Sequence, residues 1–279
     1  MTLLTHNVLT VDVEDWFHVC GPGGAVPVPP RGTWRVRGNL ERILALLDAH
    51  CQKATFFMLG SVAENDPALA AMICSAGHEI ASHGYSHRLV TDLTPQQFRG
   101  ELQLTERILM EQTGQRPLGY RAPQWSMSEQ TGWAFDILME EGYRYDSSLN
   151  PLPLVGSSRG SRTPYRLEGA GAGLWEIPPM VTRSWMGNLP TGGGWGFRFF
   201  PFRMICATID TLNRSHHSAV LYLHPREVDP AGPRLDLSPL KRFVSYGTRT
   251  DATSRLRELF RRYQFITLKE LVDEWQHVS

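Results

Sequence analysis

The chain has 279 residues, with 28 Lys plus Arg against 28 Asp plus Glu and 42% apolar residues. That length allows a full buried core and suits one α/β barrel. The balanced charge leaves no bulk field to attract nucleic acid or an anionic membrane. No stretch of sequence is long and apolar enough to form a transmembrane span. The start at Met1-Thr2-Leu3-Leu4 has no basic segment ahead of a long apolar core, so the chain reads as cytoplasmic. Cys20, Cys51, Cys74 and Cys206 show no paired metal spacing. Cys51 and Cys74 fall in apolar helical stretches and are expected as buried free thiols.

In chain order, Val8-Leu9-Thr10-Val11 reads as a strand that gives out into Asp12-Val13-Glu14-Asp15. Asn39 is placed to cap a helix whose apolar residues Leu40, Ile43, Leu44 and Leu47 recur with helical period. Ala54 to Leu59 is a buried strand ended by Gly60. Asp66-Pro67 opens a helix that Gly77 closes. Glu79-Ile80-Ala81 leads into Ser82-His83-Gly84-Tyr85-Ser86-His87. Thr94-Pro95-Gln96-Gln97 is a capping box for a helix running to Gly114. Leu118-Gly119-Tyr120 then leads into Arg121-Ala122-Pro123. A helix from about Ser128 to Gly142 precedes Tyr143 and the cluster Tyr145-Asp146-Ser147-Ser148.

Residues 150–200 break this pattern, being rich in Gly, Pro, Ser and Trp. Such a segment in a compact domain is usually functional. Gly169-Ala170-Gly171-Ala172-Gly173 superficially resembles a phosphate-binding loop, but no helix follows it, so it reads as a connection. Val220 to Leu223 is a late strand ending in His224-Pro225. Phe265-Ile266 is another, and Thr267-Leu268-Lys269-Glu270 caps a terminal helix. His216-His217 reads as a helix end or loop. The alternation implies parallel strands with right-handed crossovers. Together these elements predict a distorted (β/α) barrel of about seven or eight strands. It is a single domain over residues 1–279, with the irregular segment near the site's mouth.

Five polar clusters thus sit where apolar runs give out, as active-site groups do in a barrel enzyme. His83 and His87 can bind one divalent ion, with a carboxylate completing the site and positions left for water and substrate. The acidic source is Asp12, Glu14 and Asp15, three carboxylates that repel one another unless a cation sits among them. Strand parity puts Asp12 and Glu14 on one face. One carboxylate can ligate while another deprotonates water. Arg121 beside Asp12 would hold that carboxylate ionised and oriented. His224 at the barrel mouth suits a general acid. Aromatics are dense around the irregular segment, at Trp125, Trp175, Trp185, Trp195, Phe197, Phe199 and Phe200; most read as core or loop packing, and a few exposed rings beside the site would offer stacking faces for sugars.

At these residues the chain resembles the polysaccharide deacetylase family, carbohydrate esterases sharing the NodB homology domain. The resemblance rests on Leu9-Thr10-Val11-Asp12-Val13-Glu14-Asp15-Trp16-Phe17, Lys53 to Gly60, Gly77 to Gly84, Gly119 to Pro123 and Tyr145 to Leu149. It looks closest to the branch linked to exosortase-associated exopolysaccharide loci. The resemblance implies metal-dependent N-deacetylation of an N-acetylated glycan, with zinc as the expected metal. Asp12 would be the base, His83 and His87 metal ligands, Arg121 the base-orienting group and His224 the acid. A backbone N–H near Gln124 would help hold the oxyanion, with Trp125 beside it in the substrate site.

The family's usual Thr-Phe-Asp-Asp-Gly is replaced here by Asp12-Val13-Glu14-Asp15. Parity favours Glu14 as the ligand, whereas a turn starting at Trp16 would favour Asp15. Arg226 stands where this branch is expected to carry Trp. Two alternatives remain open, a metal-independent cyclic-amide hydrolase and an inactive glycan-binding module.

Overall fold

The computed structural model describes residues 5–19, 28–152, 155–156, 160–169 and 173–278. The first four residues, Cys20 and residues 170–172 of the glycine–alanine run lie outside them. β1 (Asn7–Val13) is buried along its whole length, and the sheet is built around it. Its run of Val, Leu and Thr suits burial on both faces. β2 (Thr55–Met58), β3 (Glu79–Ser82), β4 (Gly119–Tyr120) and β5 (Tyr145–Asp146) follow side by side, all parallel. Helices Val36–Ala49, Ala68–Ser75, Pro95–Thr113 and Trp133–Glu140 occupy the crossovers. The strand–helix alternation of the first half is therefore present as expected.

Beyond β5 the chain departs from this regularity. β6 (Tyr165–Leu167) runs antiparallel to β7 (Leu174–Glu176), which pairs with β5. β8 (Val220–Leu223) returns beside β1 in parallel register, Val8 opposite Val220 through Val11 opposite Leu223. β9 (Phe265–Ile266) pairs with Asn7 and Val8. The nine strands make one curled sheet in the order β8-β1-β2-β3-β4-β5-β7-β6, with β9 beside β1.

The expected barrel is thus a half-barrel, and irregular chain spans its opening. Ile177 N–H donates to Asp146 O (2.8 Å), Met180 N–H to Val220 O (2.7 Å) and Tyr222 N–H to Gly192 O (2.9 Å). A Cβ at Gly193 would lie 2.3 Å from Tyr222 O, and one at Gly196 would lie 1.6 Å from Pro190 O. Backbone approaches that close admit only glycine. Gly173, at the end of the glycine–alanine run, directly precedes β7.

Two expected caps are found. Thr94 Oγ1 accepts from Gln97 N–H (3.3 Å) while Thr94 N–H donates to Gln97 Oε1 (2.9 Å). Thr267 and Glu270 make the same exchange. Two others are corrected. Asn39 lies buried inside helix Val36–Ala49, its amide 3.5 Å from Asp229, and a carboxylate from outside the helix supplies the cap. Asp66 turns its carboxylate to Arg37 instead of its own helix. Cys51 is exposed and Cys74 only half-buried, because Cys51 falls past the helix end. No helix among the described residues is long and apolar enough to cross a membrane.

His78 packs on Phe56 with ring centroids 5.3 Å apart, and burial pushes it from 6.5 down to about 4. Between those values the unfolded chain binds more protons than the folded one, so stability falls as pH drops through the window. Denaturant unfolding near pH 4.5 and near pH 7 should show the natural protein losing about 2 kcal/mol more than His78→Gln. Equal losses would remove His78 as the cause.

Candidate metal centre and active site

Every functional side chain picked out in the sequence lies on or just beyond the carboxyl end of a parallel strand. Asp12, Glu14 and Asp15 come from β1, His83 and His87 from beyond β3, Arg121 from β4 and His224 from β8. The turn that carries the histidines is held from below. Glu101, on helix Pro95–Thr113, accepts from Tyr85 N–H and Ser86 N–H at 3.1 Å each and from the Ser86 hydroxyl. His87 takes a left-handed backbone (φ 60°), which brings its ring back beside His83.

Glu14, His83 and His87 are all buried, and their ligand atoms lie within 4.8 Å of one another. Glu14 Oε1 is 3.2 Å from His83 Nε2 and 2.8 Å from His87 Nε2. His83 Nδ1 is 2.7 Å from the Arg121 carbonyl, a contact that places the ring proton on Nδ1. In the neutral ring Nε2 then presents a lone pair to the Glu14 carboxylate. Two acceptors this close repel unless a cation lies between them. Burial pushes His87 down, keeping it neutral. Burial would raise Glu14, but the groups packed on it, the Arg226 guanidinium among them, outweigh that and hold the carboxyl well below its usual range. The group is compatible with a divalent ion and has the donor set of a zinc-type site.

Asp15 does not join it. Its carboxylate accepts from the backbone N–H groups of Trp16 (2.7 Å), Arg35 (2.9 Å) and Val36 (3.0 Å). It therefore caps the first turn of helix Val36–Ala49 from outside, where unpaired N–H groups favour an anion. Glu14 rather than Asp15 faces the histidines, as strand parity suggested.

Arg121 is fully buried. Its Nη1 donates to Asp12 Oδ1 (2.7 Å) and Thr10 Oγ1 (2.7 Å), Nη2 to Ser147 Oγ (2.8 Å) and Nε to Ser147 O (3.1 Å). The guanidinium lies 4.2 Å from the Phe57 ring centre and 4.7 Å from that of Trp125. His224 Nδ1 is 2.7 Å from Glu227 Oε1, and its Nε2 is 3.8 Å from Asp12 Oδ2. Asp12, Arg121 and His224 are thereby brought together beside the Glu14 group.

Gln124 and Trp125 both line the cavity over this group and both have left-handed backbones (φ 50° and 57°). The Trp125 N–H is already donated to Ala122 O at 3.1 Å. Asp12, His18, Trp195, His224 and Lys241 also border the cavity, which has a volume of about 450 Å³. Trp175 instead packs on Trp275, while Trp185 is 92% exposed at a hairpin tip.

Several neighbours went unassigned in the sequence. Glu227, which holds His224, stands three residues after it, a spacing that could have flagged it. Arg226 donates to Glu14 Oε2 at 2.6 Å, so the residue noted as a departure grips the carboxylate of the candidate centre. Ser147 and Ser148 hold Arg121 and the Ala122 N–H, which gives the Tyr145 to Ser148 cluster its structural meaning. No residue-type pattern in the sequence marks His18.

The fold and this group define an α/β half-barrel with a candidate hydrolytic metal centre. Residues 29–145 match the family model described as Polysaccharide deacetylase. Residues 147–273 match one described as Domain of unknown function (DUF3473). The first segment is thus similar to polysaccharide deacetylases. It contains His83, His87 and Arg121, begins after the acidic cluster and ends before His224.

The chain is 34% identical over 147 residues to a peptidoglycan deacetylase of Helicobacter pylori, covering 53% of this chain and 49% of that one. It is 37% identical over 94 residues to a peptidoglycan-N-acetylglucosamine deacetylase of Bacillus cereus, covering 33% and 34%. The chain thus spans about half the length, or less, of these relatives. Among solved structures, a "probable Polysaccharide deacetylase" from Pseudomonas aeruginosa PAO1 has a TM-score of 0.65 at 18% identity, over 98% of this chain and 91% of the other. A CE4 family pseudoenzyme from Bacillus anthracis has a TM-score of 0.54 at 18% identity, over 98% and 67%. Likeness at such identity speaks for the fold alone.

The two acidic neighbours should separate cleanly by mutation. Asp15→Ala should destabilise the protein by about 1–2 kcal/mol, as loss of a helix cap does, and leave zinc affinity near that of the natural protein. Glu14→Ala should weaken zinc by about tenfold or more. Thermal melts with chelator competition check both, and the reverse pattern would make Asp15 the ligand.

Proposed function

We propose that the chain is a zinc-type, metal-dependent N-deacetylase of amino sugars in a polysaccharide or its precursor, acting as one catalytic unit over residues 1–279. The observation that carries this reading is the facing of Glu14 Oε1 and the His83 Nε2 lone pair across 3.2 Å inside a buried group. The names of the Helicobacter and Bacillus relatives support an N-acetylated sugar as substrate. The sequence resemblance supports the exosortase-associated exopolysaccharide branch.

Glu14, His83 and His87 would hold the ion. Once bound, it supplies a Lewis acid for the acetyl carbonyl and the attacking water. Asp12 accepts the proton that water loses as its oxygen bonds to the acetyl carbon. Arg121 keeps Asp12 in place, its guanidinium fixed by Ser147 and by two aromatic faces. The carbon–nitrogen bond then breaks, acetate forms, and His224 gives its Nε2 proton to the departing amine. Glu227 orients that ring through Nδ1. Trp125 and Trp195, both on the cavity wall, offer faces for sugar rings.

Zinc-loaded protein should release acetate from N-acetylglucosamine oligomers, and His224→Ala should lower kcat by about a hundredfold or more. His87→Ala and exhaustive chelation should abolish turnover. Undiminished activity in His87→Ala, or chelator-resistant opening of a cyclic amide such as allantoin, would overturn the reading. Binding of the oligomer with no acetate released by metal-loaded protein would leave a glycan-binding module instead.

A further inference from the structure

His18 lines the cavity beside the candidate metal group and has no part in the chemistry described so far. Its ring is held on several sides. Phe17 lies at a centroid distance of 4.3 Å, Trp34 at 6.3 Å edge-on and His87 at 5.6 Å, also edge-on. Three aromatic contacts of this kind fix a side chain in one orientation. The Asp15 backbone N–H donates to His18 Nδ1 at 2.9 Å. A ring nitrogen that accepts a hydrogen bond carries no proton, so in the neutral ring the proton is on Nε2. Among the described residues Nε2 has no partner. The ligand atoms that cluster for an ion belong to Glu14, His83 and His87, and His18 is outside that set.

We propose that His18 is a substrate-positioning residue whose Nε2–H donates a hydrogen bond to an oxygen of the bound amino sugar. This rests on the deacetylase reading for the identity of the ligand. Beside His18 the cavity wall also carries Asp12 and Glu14, whose carboxylates are already engaged with Arg121 and Arg226. A neutral donor that is oriented before the substrate arrives discriminates an oxygen acceptor with little ordering cost on binding. The same segment, Asp15 to His18, thus caps a helix with its carboxylate and aims an imidazole with its backbone.

Two substitutions divide the ring's functions. His18→Asn keeps an acceptor near the position of Nδ1 and places no donor at that of Nε2. His18→Gln can return an amide N–H to the Nε2 position. Affinity for the N-acetylglucosamine tetramer is measured by calorimetry on zinc-loaded protein carrying Asp12→Asn to silence turnover, and zinc affinity is measured separately by chelator competition. His18→Asn should weaken the tetramer about tenfold, the scale of one neutral hydrogen bond. His18→Gln should recover to within about threefold, with zinc affinity unchanged in both. Unaltered tetramer affinity in His18→Asn overturns the proposal. So does a loss that tracks a fall in zinc affinity, which would mean His18 acts through His87. Tetramer binding that depends on His18 supports the donor even if Asp12-intact protein releases no acetate, a result that would count against deacetylation alone.

Discussion

A guanidinium with no exposure to water is costly unless its donors are met, and Arg121 makes four hydrogen bonds to groups from two other strand ends. Thr10 and Asp12 come from β1 and Ser147 from just beyond β5, while Arg121 itself follows β4. Thr10 Oγ1 passes the connection on by donating to Leu221 O on β8. The strand ends that carry the acidic cluster, the arginine and His224 are therefore tied at one charged centre. Asp12 cannot drift away from that centre without leaving the cation uncompensated. Its position relative to the histidines follows from the same constraint, because His83 Nδ1 bonds to the carbonyl of Arg121.

Around this centre the charges alternate. Asp12 faces Arg121, Glu14 faces Arg226, and Glu227 lies between His224 and Arg198, 3.3 Å from the latter. Behind them Asp146 and Glu176 are two buried carboxyls pushed up by burial, with Glu176 raised further by its neighbour, so that one proton between them is favoured. They hold Ser148 and the Leu149 N–H, and Ser148 in turn accepts from Ala122 N–H. Asp12, Glu14 and Glu227 thus each have a cationic or imidazole counterpart. Glu14 Oε1, the oxygen that Arg226 does not hold, instead faces the His83 Nε2 lone pair.

Much of this was legible in the sequence because polar residues at the end of an apolar run have only one place to go. Asp12, His83, Arg121 and His224 declared themselves in that way, and the parallel sheet gathered them at one edge. The choice between Glu14 and Asp15 was not fixed locally. It depends on the N–H groups of Arg35 and Val36, some twenty residues on, which take the Asp15 carboxylate. That same long-range cap explains why Asn39, a good capping residue by type, sits buried inside its helix. His18 was invisible for a related reason: its partner is a backbone N–H, which leaves no residue-type signal. Glu227 was the nearer miss, since a carboxylate three residues after a histidine in a tight turn can reach its ring.

The half-barrel divides labour along the chain. The segment from Asn7 to Ser148 supplies the Glu14 group, Asp12 and Arg121 on regular parallel strands. Beyond it the sheet stops closing, and chain from Ile177 to Gly193 bridges the gap through single hydrogen bonds to Asp146, Val220 and Tyr222. A strand there would have to alternate its side chains across the sheet. The chain there forms only a small hairpin of its own, Thr182–Ser184 with Gly187–Leu189, and glycines at 193 and 196 pass directly against Tyr222 and Pro190. Helix Gly194–Phe199 can then place Trp195 on the cavity wall, while helix Pro239–Tyr246 brings Lys241 and Val244. Groups that must hold fixed distances lie on the tied strand ends, and much of the wall that meets a ligand lies on helices free of the sheet's register. Changes in that wall can alter what the cavity admits without moving Arg121 or the residues bound to it.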